Sequence, residues 1–414
     1  MENNVNKILF ITEYLPYPPD TGAKTQFYYL IKGLASYQDK LNLGIVSLFE
    51  KKDEKLLEAT IIFFNSLGIK WFKFIKKRDE NLLYKMIRYN LIPNIYNLNI
   101  FKGIFTEFKP DVIFLGLNEL SLYITPFLKE YKHPSTPIIF FPRDSCILNI
   151  ETWLKNENSL ANKIIGSIKL RLRKRALNKY RYSCFEKYIY LSERDAEKFK
   201  EFIQKGKILL KTIVIPSGVD TEEFLPQKRG GKYLDRINLL FTGVLDYPPN
   251  EDASLVLIRD IFPSISNKFE NVYLSLVGRN PTKRILKACK GSGRIIITGY
   301  VENIETYYQN SDIYICPVNF GSGMKNKILE AMASGLPVIS FYEGVSGINN
   351  IEESGLLVVN NIDEMLRELE RLILNPILCQ QLGEKNRNFV EGRYSWNVIC
   401  RRYMKLFELS KKHF

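Results

Sequence analysis

Histidine is nearly missing: the 414 residues hold two, His133 and His413. A Ser-His-Asp triad, a His-rich metal site or a His general base therefore has almost nothing to work with. Cysteine is sparse too. Cys146, Cys184, Cys289, Cys316, Cys379 and Cys400 are scattered without a CxxC, which fits neither a disulfide framework nor a zinc site. No uninterrupted apolar run reaches the ~18 residues needed to span a bilayer, because the best candidates carry Glu119, Lys129 or similar charges. The first apolar stretch, Ile8 to Ile11, is too short for a signal-peptide core and reads as a buried strand. These shortages predict a protein that folds and stays in the cytoplasm.

The remaining composition is that of a globular chain, 45% hydrophobic and 25% charged, and its length suits two or three domains. The net charge of +14 is unevenly placed: residues 1–210 carry +12 and residues 211–414 carry +2. A positive field of that kind suits nucleic acid, an anionic membrane or a phosphorylated substrate.

Strand-like apolar runs alternate with helical segments in the first half. They are KILFIT from Lys7, NLGIVSL from Asn42, DVIFL from Asp111, PIIFF from Pro137 and EKYIYL from Glu186. Runs from Ile237, Val272, Arg294, Asp312, Pro337 and Leu356 repeat the pattern, and after about Ile362 the chain reads as helical to the end. Nearly continuous apolar strands alternating with helices predict parallel sheets covered on both faces. The expected fold class is α/β, with two Rossmann-like, doubly wound domains facing a cleft. Their expected limits are 1–210 for the first and 211–385 for the second. Residues 386–414 are expected to form a C-terminal helix crossing back to the first.

The most informative stretch is Pro317–Ser340, PVNFGSGMKNKILEAMASGLPVIS. A strand ends, a loop with Gly321 and Gly323 follows, and a helix starts near Asn326 and stops before Gly335. Backbone N–H groups and the dipole at such a helix start attract anions. Lys325 and Lys327 add positive charge there, and the Glu330 carboxylate can accept two hydroxyl hydrogen bonds from a ribose. Read locally, the stretch is either this site or an ordinary βα turn with surface lysines. Gly22, in a loop after the first strand, either lets the backbone approach a phosphate or sugar closely or serves only the turn. Arg143 and Asp144, ending another strand, are either a hydroxyl-binding pair or a structural salt bridge. His133, beside Pro134 in a polar turn, reads as a surface residue.

Taken together these segments resemble the nucleotide-binding domain of retaining glycosyltransferases of family 4, glycosyl transferases group 1, with the GT-B fold. The resemblance rests on Gly299-Tyr-Val301, Tyr307-Tyr308, Ser311-Asp312 and GSGMKNKILEAMASGLPVI. Supporting it are Phe241-Thr-Gly243, Pro249-Asn-Glu-Asp-Ala253, Leu276-Val-Gly278, Pro216-Ser-Gly-Val-Asp220, Pro18-Pro-Asp-Thr-Gly-Ala-Lys24 and Leu191-Ser-Glu-Arg-Asp195. It covers nearly the whole chain and is strongest in the second half.

The resemblance implies a donor site for a UDP- or GDP-linked sugar. Its members here would be Gly22, Gly243, Gly278, Tyr300, Val301, Gly321, Ser322, Gly323, Met324, Asn326 and Glu330, with Lys325, Lys327 and Asp144 in catalytic roles. It also implies front-face attack, in which the leaving diphosphate takes the acceptor's proton and no metal or side-chain nucleophile is needed. The sequence departs from the family twice. Ser322 stands where the first of two glutamates eight positions apart is usual, and Val244 and Asn250 stand where an Arg and a Lys usually grip the diphosphate. Lys325 and Lys327 are the nearest replacements.

The expected activity is metal-independent, retaining hexosyl transfer to a glycan, lipid-linked or other hydroxyl acceptor in cell-surface polysaccharide or glycoconjugate synthesis. A sugar-nucleotide epimerase of the same fold is the alternative, disfavoured by the shortage of histidine. No helix-turn-helix, zinc-finger or RNP-like signature supports a nucleic-acid partner. Finally, no acid falls between Glu157 and Glu186, while residues 163–181 carry eight Lys and Arg beside the apolar Ile165, Ile168, Leu172 and Ala176. Such a helix either docks on an anionic membrane, making the protein peripheral on the inner face of the cell membrane, or packs with its other face solvated.

Overall fold

A computed structural model describes residues 6–19, 21–49, 51–76, 100–117, 128–130, 132–143, 145–157, 159–179, 185–204, 212–226, 236–321 and 323–411. Asp144 and Ser322, both expected in the site, lie outside the described residues, as does His413. The chain forms two compact units, Met1–Pro216 with Ile399–Phe414, and Ser217–Val398.

The first unit holds a sheet of β1 (Asn6–Thr12), β2 (Leu41–Phe49), β3 (Lys70–Lys76), β4 (Val112–Gly116), β5 (Ile138–Arg143), β6 (Lys187–Tyr190) and β7 (Thr212–Val214). Their spatial order is β3-β2-β1-β4-β5-β6-β7, and every pairing is parallel. Ile8, Leu9, Phe10 and Ile11 have no exposed surface. A strand buried on both faces has no reason to alternate polar and apolar residues, which is why these read as continuous apolar runs. The helices are α1 (Gly22–Ala35), α2 (Leu57–Ser66), α3 (Ile100–Phe108), α4 (Cys146–Asn156), α5 (Leu160–Lys179) and α6 (Glu193–Gln204). The Thr21 hydroxyl caps α1 by accepting from the Lys24 amide, so Gly22, expected in the loop after β1, is instead the first residue of the helix.

The second unit repeats the plan with β8 (Ile237–Thr242), β9 (Val272–Val277), β10 (Ile295–Ile297), β11 (Ile313–Cys316), β12 (Val338–Phe341) and β13 (Leu357–Val359), ordered β10-β9-β8-β11-β12-β13 and again parallel throughout. Its helices are α7 (Pro248–Val256), α8 (Phe262–Lys268), α9 (Lys283–Ala288), α10 (Glu305–Gln309), α11 (Asn326–Ala333), α12 (Tyr342–Val345), α13 (Ile362–Ile373), α14 (Pro376–Arg393) and α15 (Trp396–Lys411), the last shared with the first unit. The strand order reverses between β8, whose connection runs to β9, and β11. In doubly wound sheets ligands bind beyond the carboxyl ends of the strands at that switch.

The units differ in detail from the expected limits. The cut expected at 385/386 falls inside α14, which is anchored in the second unit: buried Asn386 donates to the Leu336 carbonyl, and Arg387 donates to the carbonyls of Thr221, Phe224 and Ala333. Only the chain from Ile399 onward joins the first unit.

Candidate active site

The carboxyl ends of β8, β9 and β11 bring most of the expected donor residues of the second unit together. Gly243 follows β8 and Gly278 follows β9, with φ of 154° and 152°. A Cβ at Gly278 would stand 1.7 Å from the Gly243 carbonyl oxygen, so these two turns touch backbone to backbone and exclude any side chain. Gly278 also bridges to Gly299. After β11 the chain passes Gly321 (φ 122°) and Gly323 (φ 70°) into α11. Lys325 is the N-cap residue, and its side chain makes no capping hydrogen bond. A helix start whose N-cap side chain does not cap it suits an anion.

The two lysines point to different places. Lys325 arches back over the loop, its Nζ donating to the Gly323 carbonyl at 3.0 Å. Lys327 reaches inward instead: its Nζ donates to the Thr242 carbonyl at 3.1 Å and to Asn250 Oδ1 at 2.7 Å, and lies 4.0 Å from the Phe241 ring centre. Asn250 is one of the two positions where the family's basic residue is absent. Here it serves as the acceptor that holds Lys327, while its own amide donates to the Val244 carbonyl at 3.0 Å. Burial lowers the Lys327 ammonium to about 8.

Glu330 lies on the same helix, with its Oε2 accepting from the Tyr308 hydroxyl at 2.7 Å. Burial raises its carboxyl to about 7, against the pull of the Tyr308 hydrogen bond and the Lys327 charge. Tyr308 in turn shares a 2.7 Å hydrogen bond with the Thr242 hydroxyl, which lies 3.0 Å from the Tyr314 hydroxyl. Both phenols are held well above their ordinary range, first by burial and then by neighbouring acids. Thr242, Tyr308, Tyr314 and Asn250 were not anticipated as supports of the site. Tyr308, Thr242 and Asn250 carried a signal only as members of the segments that resemble the family, and Tyr314 carried none. Arg279, directly after Gly278, is a further unanticipated neighbour, with a buried Nε that has no hydrogen-bond partner.

Not every expected residue sits in this group in the same way. Tyr300 is 71% exposed, whereas Val301 packs against the core. Met324 is partly buried and packs on the core beside Gly347. Asn326 opens α11. Gly22 belongs to the first unit, where a Cβ would meet nothing within 4 Å. His133 is an exposed turn residue whose Nδ1 pairs with the Ser135 hydroxyl at 2.6 Å. Among the described residues no group of three or more His, Cys, Asp or Glu is arranged to hold a metal, and no helix is long and apolar enough to cross a membrane.

The basic segment up to Lys179 lies in α5, with Arg181 outside the described residues, and Ile165 and Ile168 of its expected apolar stripe are not packed, while Leu172 is half-buried. Leu160, Ile164, Ile165 and Ile168 are 75%, 55%, 49% and 55% exposed. The helix contacts its own unit through Gly166, whose missing Cβ makes room for Trp153 and Leu154, and through Leu170, which packs on the core. Lys174, one of the eight cations of that segment, pairs with Glu151 at 3.0 Å. Lys163, Lys169, Arg171 and Arg175 are exposed.

Residues 236–375 match the family profile described as Glycosyl transferases group 1. A glycosyltransferase of unassigned specificity from Methanocaldococcus jannaschii is 25% identical over 337 residues, covering 77% of this chain and 80% of that protein. A phosphatidyl-myo-inositol mannosyltransferase from Mycobacterium leprae is 27% identical over 203 residues, 47% of this chain and 53% of its own length. Among solved structures, the Anabaena protein HepE in complex with UDP and glucose superposes with a TM-score of 0.66 at 13% identity, covering 97% of this chain and 99% of that one. With two parallel sheets that share the order of their first six strands and a glycine loop feeding α11, the second unit carries the glycosyl transferases group 1 profile over residues 236–375, and the chain is a glycosyltransferase with a GT-B-like fold.

Proposed function

We propose that the second unit holds a nucleoside-diphosphate hexose and that the enzyme passes the hexosyl group, with retention, to a hydroxyl of a membrane-borne glycan or lipid-linked acceptor taken up by the first unit. The observation that supports this most is the arrangement at the ends of β8, β9 and β11. Glycine turns admit the backbone of the loop to a phosphate, α11 presents its amides, Lys325 lies over the loop, and Glu330 sits one turn further along. The Glu330 carboxylate accepts the ribose hydroxyls with the oxygen that Tyr308 does not occupy. Lys325 and the α11 amides neutralise the diphosphate as it leaves. Lys327 fixes the β8 end against α7 through Thr242 and Asn250 and adds its charge beneath the diphosphate. The bond from the anomeric carbon to the diphosphate oxygen breaks, the bond to the acceptor oxygen forms on the same face, and the acceptor's proton goes to the departing nucleoside diphosphate.

An acceptor in a membrane accounts for α5. Leu160, Ile164 and Ile168 recur every four residues and so share one face of the helix, and exposed Lys163, Lys169, Arg171 and Arg175 flank them. Apolar side chains entering the acyl boundary while cations meet anionic headgroups is the physics of an interfacial helix, each surface cation adding about 1 kcal/mol. Two assays test the reading. Turnover of UDP- and GDP-linked hexoses with extracted lipid acceptors should identify one donor, and no donor should be epimerised in the absence of acceptor. The protein should sediment with vesicles containing phosphatidylglycerol, and less so at high salt, because exposed charges are screened within about 8 Å at physiological ionic strength. Replacing Ile164 and Ile168 by serine should abolish sedimentation and leave donor hydrolysis intact. Wild-type protein that ignores such vesicles at low salt would place the acceptor in solution.

A further inference from the structure

Arg143 ends β5 in an unusual state. Its φ is 72°, in the left-handed region that side chains with a Cβ rarely adopt. The backbone is held there from its neighbours: Arg143 registers against Tyr190 of β6, and its carbonyl accepts from the Leu191 amide at 3.2 Å. A strained residue persists only where surrounding structure fixes it, and such residues cluster where ligands bind.

The side chain is as unusual as the backbone. The guanidinium carbon lies 5.3 Å from the centre of the Tyr14 ring, and the buried Nε has no hydrogen-bond partner. No ion pair joins it to any described residue. Arginines with a structural task in this chain look different. Arg387 gives three carbonyls its N–H groups, and Arg294 does the same with Ser266, Phe269 and Glu270. Tyr14 is itself fixed, its hydroxyl donating to the Ala23 carbonyl in the first turn of α1 at 3.0 Å and its ring set edge-on to Phe27. A guanidinium resting one face on an aromatic ring keeps its donor fork, which lies in the plane, for another partner. A planar fork matches a carboxylate or a phosphate in two parallel hydrogen bonds.

We infer that Arg143, set on Tyr14 at the carboxyl end of β5, is an oxyanion site that takes a phosphate or carboxylate carried by the acceptor. This rests on the transferase reading for the word acceptor, while the oxyanion site itself stands on the geometry of Arg143. The excess positive charge of residues 1–210 draws such a substrate to this unit. The two possible sources of the oxyanion are a lipid-phosphate linkage and an acidic sugar.

Phenylglyoxal labelling of Arg143 in the full-length protein, read by peptide mass spectrometry, separates the possibilities. Inorganic diphosphate or methyl glucuronide should slow labelling about tenfold, as expected for a charge-assisted bidentate contact, whereas neutral methyl glucoside should not. Protection by diphosphate assigns a lipid phosphate, and protection by the glucuronide assigns an acidic sugar. Protection by neither, or by UDP alone, overturns the proposal. In turnover assays, Arg143→Gln should raise the KM for a polyprenyl-diphosphate-linked sugar about 10- to 100-fold. The KM for the donor, and for the matching neutral alkyl glycoside, should stay within twofold. Arg143→Lys, which keeps the charge but loses the fork, should fall between. A variant that loses both acceptors equally, with its melting temperature intact, also overturns it. Labelling needs no turnover, so a protein that protects Arg143 yet binds no sugar nucleotide refutes the transferase reading and leaves the oxyanion site standing.

Discussion

Replacing Glu330 by glutamine tests the donor site at its least forgiving point. The carboxyl has one oxygen committed to Tyr308 and titrates at about 7 because burial penalises its charge. Only the ionised form can accept two ribose hydroxyls without competing as a donor. With that value, roughly one tenth of the protein is ionised at pH 6 and roughly nine tenths at pH 8. Wild-type affinity for UDP or GDP should therefore fall about ninefold from pH 8 to pH 6, about 1.3 kcal/mol. Glu330→Gln should weaken binding at pH 8 by about 10- to 100-fold, the size of a hydrogen bond to a charged acceptor, and should remove the part of the pH dependence that belongs to the protein. Titration calorimetry at both pH values measures the two effects together, with the nucleotide's own phosphate titration cancelling between wild type and variant.

The same substitution makes an opposite prediction for stability. The folded carboxyl titrates above its ordinary value of 4.5. Between pH 4.5 and 7 the unfolded chain has therefore lost a proton that the folded one keeps, and stability declines as pH rises through that window. The full shift corresponds to about 3 kcal/mol as an upper bound, since the residue is only partly buried. Glutamine carries no such penalty. The melting temperature of the variant at pH 8 should be no lower than that of wild type, and its change between pH 5 and pH 8 should be smaller. Unaltered nucleotide affinity at pH 8, or a variant that is weak only because it melts, would refute the assignment.

Three further outcomes follow from the same geometry. Lys325→Ala should reduce turnover about 10²-fold, the scale for losing one transition-state charge partner, and the loss should persist at temperatures well below the variant's melting point. Lys327 titrates at about 8, so wild-type turnover should decline above that pH as the ammonium is lost; Lys327→Arg, whose charge persists, should shift or erase that alkaline limb in a pH–rate profile. Gly278→Ala places a Cβ 1.7 Å from the Gly243 oxygen and should cost several kcal/mol, read by chemical denaturation, with donor binding lost alongside.

The parts of the molecule that sequence disclosed share a physical origin. Strands buried on both faces leave long apolar words, so Asn6–Thr12 and Ile237–Thr242 were legible, and a glycine loop before a helix start announces its own chemistry. Two strands were missed for the converse reason. β3 reads KWFKFIK, with a lysine every third residue breaking the run, and β7 is three residues long. The direction of a side chain was the harder matter. Lys325 and Lys327 lie two apart at a helix start and looked interchangeable as diphosphate ligands, yet one folds over the loop and the other runs under it to Asn250. Nothing local to residues 317–340 could show this, because the acceptors of Lys327, Thr242 and Asn250, lie 85 and 77 positions away. The same holds for α5. Its charge and apolar periodicity were visible, but whether the stripe met protein or solvent depended on Trp153 and Leu154 occupying the Gly166 face instead.

The departures from the family pattern now have a physical reading. An Arg or Lys at positions 244 and 250 would supply a cation from the β8 side. Here the β8 side supplies acceptors, the Thr242 carbonyl and the Asn250 amide oxygen, and the cation comes from α11. The charge thus comes from a different stem. Holding it there is unfavourable to the empty protein, because burial opposes the charged forms of both Lys327 and Glu330, three residues apart on one helix. Buried groups that titrate near neutrality are found where a ligand completes their surroundings. A bound diphosphate gives Lys327 a counter-charge, and ribose hydroxyls give the Glu330 carboxylate its missing donors. Nucleotide binding should therefore raise the Lys327 value and lower that of Glu330. Proton uptake or release on binding, measured by calorimetry in buffers of different ionisation enthalpy, should change sign across the interval from pH 7 to pH 8: release below it, as Glu330 gives up its proton, and uptake above it, as Lys327 gains one. A binding reaction with no protonation linkage between pH 6 and pH 9 would show that the nucleotide does not touch this pair.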